Sequence, residues 1–370
     1  MAHPSPDLYG SDRVFLESVV ALADAGFQVV VVLPADGPLV PILREHGARV
    51  VFALTPVLRK AALRPRGFLQ LAGTGARAVR PAVRLIREVR PDLVYVNTVT
   101  LPAWAVLARA LRKRVLIHVH EAEDGVPAPI RLGLAAPLLT AATVVVNSRA
   151  TERSLRRTLP AIGRRLRLIY NGVPGPPTPS VRRPDLPARA RLVQVGRVSP
   201  RKGTDTAVDA AAILQQRDRD IELHIVGSVF PGYEWFEEEL RARVSMQGLT
   251  DRVRFDGFRP DVWSAYDDAD IALVPSRSEP FGNTAVEAQL AGTPVIVSDV
   301  QGLPETVDNG QYGAIVPADD PAALADAIEA ALDDWPAAVK RADAAREVAI
   351  ERFSPERYRA QIVSAVTGAL

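Results

Sequence analysis

Two glutamates, Glu279 and Glu287, flank a pair of backbone amides at Phe281 and Gly282 in the segment Pro275-Ser-Arg-Ser-Glu-Pro-Phe-Gly-Asn-Thr-Ala-Val-Glu-Ala-Gln-Leu-Ala-Gly-Thr-Pro294. Carboxylates accept hydrogen bonds from hydroxyls, and amides at the positive end of a helix receive anions. A second polar cluster, Gly196-Arg-Val-Ser-Pro-Arg-Lys-Gly203, offers two cations, Arg197 and Lys202. Fixed cations stabilise a departing diphosphate, because negative charge accumulates there as its bond breaks. A ligand with both phosphates and hydroxyls, a sugar nucleotide, answers the whole set, and no metal need supply the charge. Bland readings stand beside these. Thr284-Ala-Val-Glu287 is also a capping box, in which Glu287 satisfies a backbone donor, and basic residues in loops are commonly just solvated. Glu279, between Ser278 and Pro280, has no helical or core role to explain it.

The elements that must position these residues follow from the apolar pattern. Ile271–Val274 and Val295–Val297 are short β-branched runs on either side of the segment, and Gly292 suits a helix C-terminus, so the order is strand, loop, helix, strand. The loop then lies at the carboxyl end of a parallel strand, where open α/β sheets bind ligands. The N-terminal half predicts strands at Gln28–Leu33, Arg49–Leu54, Leu93–Asn97, Val115–His120, Thr143–Asn147 and Arg167–Tyr170, with helices at Asp12–Ala25, Pro102–Leu111 and Ala150–Thr158. A proline-rich stretch, Pro174 to Pro187, interrupts the rhythm as a semi-rigid linker would. It resumes with strands at Leu192–Val195, Glu222–Val226 and Val253–Asp256, helices at Thr204–Gln216 and Trp235–Met246, and a helical end from Pro321. The expected architecture is α/β: two doubly wound domains, 1–173 and 191–354, joined by a linker at 174–190, with a cleft between the carboxyl ends of their sheets. The central first strand is missing from this pattern. Either the sequence starts downstream of it, or Met1–His3 is its stub.

The chain has 370 residues, enough for two cores, with 48% hydrophobic and 24% charged residues. No apolar run approaches the roughly 20 residues of a membrane span, and the N-terminus lacks the pattern of a signal peptide. The absence of cysteine excludes disulfides and thiolate metal sites and fits the cytoplasm. The five histidines are scattered apart from His118 and His120, so no structural metal site is expected. Charge is uneven: residues 1–173 carry 24 Lys and Arg against 12 Asp and Glu, and residues 174–370 carry 21 against 31.

Gly196-Arg197…Lys202-Gly203, Glu279-Pro-Phe-Gly282…Glu287 and Gly292-Thr-Pro-Val-Ile, with Tyr170-Asn-Gly-Val173 before the linker, resemble the retaining glycosyltransferases of family 4. The resemblance covers nearly the whole chain. It implies the GT-B fold, two Rossmann-like domains with a nucleotide diphosphate sugar bound mainly to the second, and a last helix near Pro355–Ala369 (355–370) packed on the first. By position, Arg197 and Lys202 hold the diphosphate and Glu287 the ribose hydroxyls. Glu279, with the amides of Phe281 and Gly282, grips the transferred sugar, beside Gly196. Phe258 and Arg259 frame the nucleobase. Gly10 and Ser11 match the N-terminal glycine loop over the phosphates, although the usual glycine pair is Gly-Ser here. His120 lies beside the reacting sugar and acceptor, where a neutral imidazole orients a hydroxyl, a structural strand-end histidine being the alternative. His118 is read as core, and Asn97 and Thr98 as acceptor-side or turn residues.

The implied reaction is retaining transfer to a hydroxyl of a glycan, lipid-linked or small-molecule acceptor, with neither cofactor nor metal. The leaving phosphate takes the proton. A nucleotide-sugar epimerase and a truncated non-catalytic scaffold are the rival readings. Asp268-Ala-Asp270 imitates a metal motif but precedes its strand, and so lies at the wrong end of the sheet. Arg77, Arg80, Arg84 and Arg87 share one helical face, opposite Val79, Val83 and Ile86, and follow Arg59, Lys60, Arg64 and Arg66. Such a patch suits an anionic membrane or lipid phosphate at the inner face of the membrane, or is a solvated helix face. Nucleic acid is not expected, since aromatics are scarce and no recognition motif accompanies the patch.

Overall fold

The computed structural model describes residues 1–58, 65–121, 127–178, 185–229 and 232–370, with the backbone alone for 65–72. Arg59, Lys60, Arg64, the Arg66 side chain and residues 179–184 of the expected linker lie outside the described residues. The chain divides into two compact units, Met1–Gly172 with Pro355–Leu370, and Val173–Ser354.

The first unit runs α1 (Gly10–Asp24), β1 (Val30–Leu33), α2 (Leu39–Glu45), β2 (Arg49–Phe52), α3 (Pro65–Val89), β3 (Leu93–Val96), α4 (Pro102–Ala110), β4 (Arg114–Val119), α5 (Ala128–Ala135), β5 (Thr143–Val146), α6 (Arg149–Thr158) and β6 (Leu166–Leu168). Strands β1 and β2 pair in parallel, as do β3 to β6 in order. Met1–His3 joins the two groups: Ala2 forms parallel bridges to Val32 and Val96. The Ala2 N–H donates to the Tyr95 carbonyl at 2.8 Å, and the His3 N–H to Val32 at 3.1 Å. Met1–His3 thus pairs as a short strand between β1 and β3. These three residues also accept from the Val32 and Asn97 N–H groups at 2.8 and 3.0 Å, pairing backbone groups inside the sheet that would be costly if left unpaired.

In α3 the residues turned into the core are Ala78, Ala82 and Ile86. This corrects the expected apolar face. Val79 is exposed and Val83 half-buried, so they accompany Arg77, Arg80, Arg84 and Arg87, all exposed, instead of opposing them.

The second unit runs β7 (Ala190–Val195), α7 (Thr204–Gln216), β8 (Ile221–Val226), α8 (Glu234–Met246), β9 (Val253–Gly257), α9 (Trp263–Asp268), β10 (Ile271–Val274), α10 (Asn283–Leu290), β11 (Val295–Ser298), α11 (Leu303–Thr306), β12 (Ala314–Val316), α12 (Pro321–Asp333) and α13 (Trp335–Arg352). Its six parallel strands lie in the order β12-β11-β10-β7-β8-β9. Helices cover both faces, so alternate residues of one strand enter two cores. Ile271 and Leu273 pack with Leu192 and Ile225, while Ala272 and Val274 pack with Val193 and Val226. This is why the strands read as continuous apolar runs. The strand order reverses between β7 and β10, and the two polar loops of the sequence leave the carboxyl ends of those strands. The last helix, α14 (Pro355–Ala369), belongs to the first unit. There the Tyr358 hydroxyl lies 2.5 Å from Ser18 Oγ on α1, and Arg359 pairs with Glu17 at 2.7 Å.

Candidate functional site

In the second unit, the loop after β7 and the loop after β10 meet through one ion pair. Lys202 Nζ lies 2.5 Å from Glu279 Oε2, both side chains being nearly buried at 14% and 13% exposure. Burial alone would raise the Glu279 carboxyl, but the Lys202 ammonium and Arg201 outweigh it and hold the group below its ordinary value. Glu279 is thus a carboxylate at neutral pH, able to accept hydrogen bonds from hydroxyls. Arg197, half-buried, follows Gly196 at the end of β7.

A residue that the sequence reading did not single out fastens the two loops. Arg277 donates both terminal nitrogens to the two oxygens of Asp205 at 2.8 Å. It also pairs with Asp319 and donates to the Pro200 carbonyl, and its N–H reaches the Arg201 carbonyl at 2.8 Å. Bidentate bonds of this kind are geometrically strict. Arg277 therefore holds the Arg201–Lys202 turn against the strand end that carries Glu279. Sequence supplies no sign of this, because the partners are far apart in the chain.

Helix α10 begins at Asn283, with Gly282 at its N-cap in the left-handed region (φ +115°) and no side chain capping it. The capping-box reading of Thr284 and Glu287 is overturned, since Thr284 already lies inside the helix. Glu287 Oε2 instead accepts the Tyr266 hydroxyl at 3.2 Å. Burial and the nearby Glu287 charge keep that phenol well above its ordinary pKa, so it stays a donor. Phe281 turns its ring inward, edge-on to Phe353 with centroids 5.6 Å apart. What the Phe281–Gly282 stretch presents at the helix start is therefore backbone. After β9, Phe258 is 57% exposed. Arg259 beside it bonds Asp256 at 3.0 Å, and the same oxygen lies 2.9 Å from His224 Nδ1.

In the first unit, His120 follows β4 and its Nε2 lies 3.0 Å from Asn97 Oδ1. Burial pushes His120 down to about 3, so the imidazole is neutral at physiological pH. His118 is buried, with Nδ1 2.7 Å from the Tyr95 hydroxyl, which is a core position. The Thr98 hydroxyl donates to Glu121, whose carboxyl burial pushes up. Gly10 and Ser11 are not a loop. They form the exposed first turn of α1, because Asp12 Oδ2 caps the Tyr9 N–H at 2.9 Å and starts the helix there. Asp270 is buried and accepts the Arg191 N–H at 2.7 Å, at the amino end of β10, so this motif is structural.

Two doubly wound parallel units, with the polar loops of the second at its strand-order reversal, define a protein of the GT-B class. The structure of Anabaena Alr3699/HepE in complex with UDP-glucose matches it with a TM-score of 0.81 at 23% identity, over 99% of this chain and 98% of that one. The sequence agrees. Residues 9–174 match the family described as Glycosyltransferase Family 4, and residues 185–348 match Glycosyl transferases group 1. The chain belongs to the family 4 glycosyltransferases. Among curated relatives, D-inositol 3-phosphate glycosyltransferase of Jonesia denitrificans is 40% identical over 147 residues, covering 39% of this chain and 35% of that protein. Lipopolysaccharide core biosynthesis mannosyltransferase LpsB of Rhizobium meliloti is 37% identical over 152 residues, covering 40% and 43%. The chain thus spans well under two thirds of the length of these relatives.

Proposed function

We propose that this protein is a retaining glycosyltransferase that moves a sugar from a nucleotide diphosphate sugar to an acceptor hydroxyl in the synthesis of cell-envelope glycan, glycolipid or polysaccharide. The observation that carries the reading is the Lys202–Glu279 pair at the β7–β10 switch point, beside Arg197. It sets fixed positive charge and a hydroxyl-accepting carboxylate side by side, as a diphosphate linked to a sugar requires. Arg197 and Lys202 take the diphosphate. Glu279 and the Phe281–Gly282 amides take the sugar, Glu287 the ribose hydroxyls, and the exposed Phe258 ring with Arg259 the base. His120 orients a hydroxyl on the acceptor side. The acceptor attacks on the face from which the nucleotide leaves, and the leaving phosphate takes its proton. The name of one relative, a lipopolysaccharide-core mannosyltransferase, supports an envelope role.

A panel of nucleoside diphosphates, read by thermal shift, tests the donor site. One base is expected to raise the melting temperature most, and Lys202→Ala to abolish the shift while His120→Ala keeps it. Free nucleotide released only when acceptor is present establishes transfer. Because two side-chain cations carry the leaving-group charge, the rate is expected to persist in excess EDTA. Loss of activity on chelation, restored by a divalent metal, would refute that division of labour.

We also propose that α3 makes a peripheral contact with anionic lipid at the inner membrane face. No helix among the described residues is long and apolar enough to cross a membrane. Exposed Arg77, Arg80, Arg84 and Arg87 with Val79 between them support attraction, at about 1 kcal/mol per basic residue near such a surface. Changing the four arginines to glutamate is expected to abolish co-sedimentation with phosphatidylglycerol vesicles and leave the melting temperature unchanged. Equal sedimentation of both proteins would sink this proposal.

A further inference from the structure

A continuous hydrogen-bonded line crosses the first unit from α1 to His120. Asp12 Oδ1 lies 2.8 Å from His3 Nε2, His3 Nδ1 lies 2.9 Å from Asn97 Nδ2, and Asn97 Oδ1 lies 3.0 Å from His120 Nε2. Its inner members are sealed, with Asp12 2%, His3 1% and Asn97 1% exposed. Each is also fixed from the side. The second Asp12 oxygen caps α1 through the Tyr9 N–H. The His3 ring stacks on Phe15 at 4.2 Å with 5° between planes, and the Asn97 N–H bonds the Ala2 carbonyl at 3.0 Å.

The polarity of this line follows from its first member together with the orientation of the Asn97 amide, whose Nδ2 faces His3 and whose Oδ1 faces His120. A carboxylate only accepts, so His3 carries a proton on Nε2. An amide nitrogen only donates, so His3 Nδ1 accepts. An amide oxygen only accepts, so His120 Nε2 carries the proton and Nδ1 keeps a lone pair. The reverse amide orientation would require both His3 nitrogens to be protonated and would set an Asn97 N–H against His120 Nε2. Among the described residues, His120 Nδ1 has no hydrogen-bond partner.

We infer that Asp12, His3 and Asn97 are positioning residues that lock His120 as its Nε2–H tautomer, so that Nδ1 accepts a hydrogen bond from a carbohydrate hydroxyl. The hydroxyl part rests on the glycosyltransferase reading, and the tautomer part does not. A free imidazole exchanges between tautomers, and a ring with its proton on Nδ1 would donate to the substrate instead. The line removes that choice without adding a charge beside the sugar. It also gives the short first strand a function, since Met1–His3 delivers the ring that connects α1 to the end of β3.

Long-range nitrogen-15 spectra of the histidine rings at neutral pH test the tautomer directly. Wild type is expected to show His120 protonated on Nε2 alone. Asn97→Asp keeps an acceptor facing His120 and should preserve that state. Asn97→Leu removes the acceptor, and His3→Phe keeps the stack on Phe15 but frees the amide to turn, so both should yield mixed tautomers. Wild-type His120 protonated on Nδ1, or an unchanged single tautomer in both Asn97→Leu and His3→Phe, would overturn the inference. If Asn97→Leu fails to fold, His3→Phe and Asn97→Asp still decide it. With the nucleotide sugar that wild type turns over, Asn97→Leu is expected to lower kcat by up to about a hundredfold, the scale of a small misplacement. The donor KM should stay the same, and Asn97→Asp should recover the rate. A purely structural Asn97 would change the melting temperature without moving the tautomer. Absence of transfer by wild type, with the tautomer as stated, would refute the functional reading and leave the line intact.

Discussion

Alanine at Lys202 is expected to lower the rate of sugar transfer by about 10²–10³-fold, the cost of deleting one preorganised charge partner of a transition state. The ammonium stands at the carboxyl end of the sheet, at the reversal of strand order, where its position is set twice. Gln194 Nε2 holds the Lys202 carbonyl at 2.9 Å, and Glu279 holds its Nζ. Charge that grows on a departing diphosphate therefore meets a cation whose reorganisation cost is already met by folding. The same substitution has a second, separable effect on Glu279. In the wild type, cations hold this carboxyl below its ordinary value, which is about 4.3 in an unfolded chain. The pair thus contributes stability at all pH values above that, and the contribution is lost as pH falls through the folded value. Without Lys202, burial becomes the dominant influence and pushes the carboxyl up. Lys202→Ala should then lose stability as pH rises through that raised value, opposite in sign to the wild-type effect. Melting curves across the acid range, set beside kcat at neutral pH, check both halves. An unchanged kcat would remove Lys202 from the leaving-group site, whatever the melting curves show.

How much of this was legible in the sequence depended on how local the determining contacts were. Helix Thr204–Gln216 and strand Ile271–Val274 were predicted with the bounds observed, because each is an unbroken periodic or apolar run between clear stops. The first strand was not resolved by pattern, since three residues carry no period and pairing from both sides makes Met1–His3 a strand. The capping box fails by two positions. Gly282 supplies a left-handed turn that starts α10 before Thr284 can cap it. On α3 the β-branched Val79 and Val83 suggest the wrong face, whereas the small Ala78 and Ala82 are the residues buried with Ile86. The types of residue at the candidate site could be read, but not their partners. Arg277 with Asp205, Tyr266 with Glu287 and Lys202 with Glu279 meet only through parallel strands with long crossovers, and separation in sequence conceals such pairs.

Alanine at Gly203 is expected to disable the same site by a different route, and a matched control isolates the cause. Gly203 has φ +65°, and a Cβ built there would lie 1.9 Å from the Pro275 carbonyl oxygen. Gly248, in the same unit, has φ +68°, but a Cβ there meets nothing within 4 Å. Both substitutions force an L-residue into the left-handed region, at roughly 1–2 kcal/mol. Only the first also drives backbone into backbone. Neither side of that contact can yield cheaply: Gly203 leads into α7 on one side and follows Lys202 on the other, while Pro275 directly follows β10 and opens the loop to Glu279. Relief requires the loops to separate by more than about 1 Å, and a misplacement of that order can cost about a hundredfold in rate. Gly248→Ala should therefore lower stability in urea by about 1 kcal/mol and leave transfer intact. Gly203→Ala should lose several times as much stability and nearly all activity. Equal stability and equal rates in the two variants would show that the contact between the β7 and β10 loops is slack. The Lys202–Glu279 geometry could then not be the rigid element on which the proposed mechanism depends.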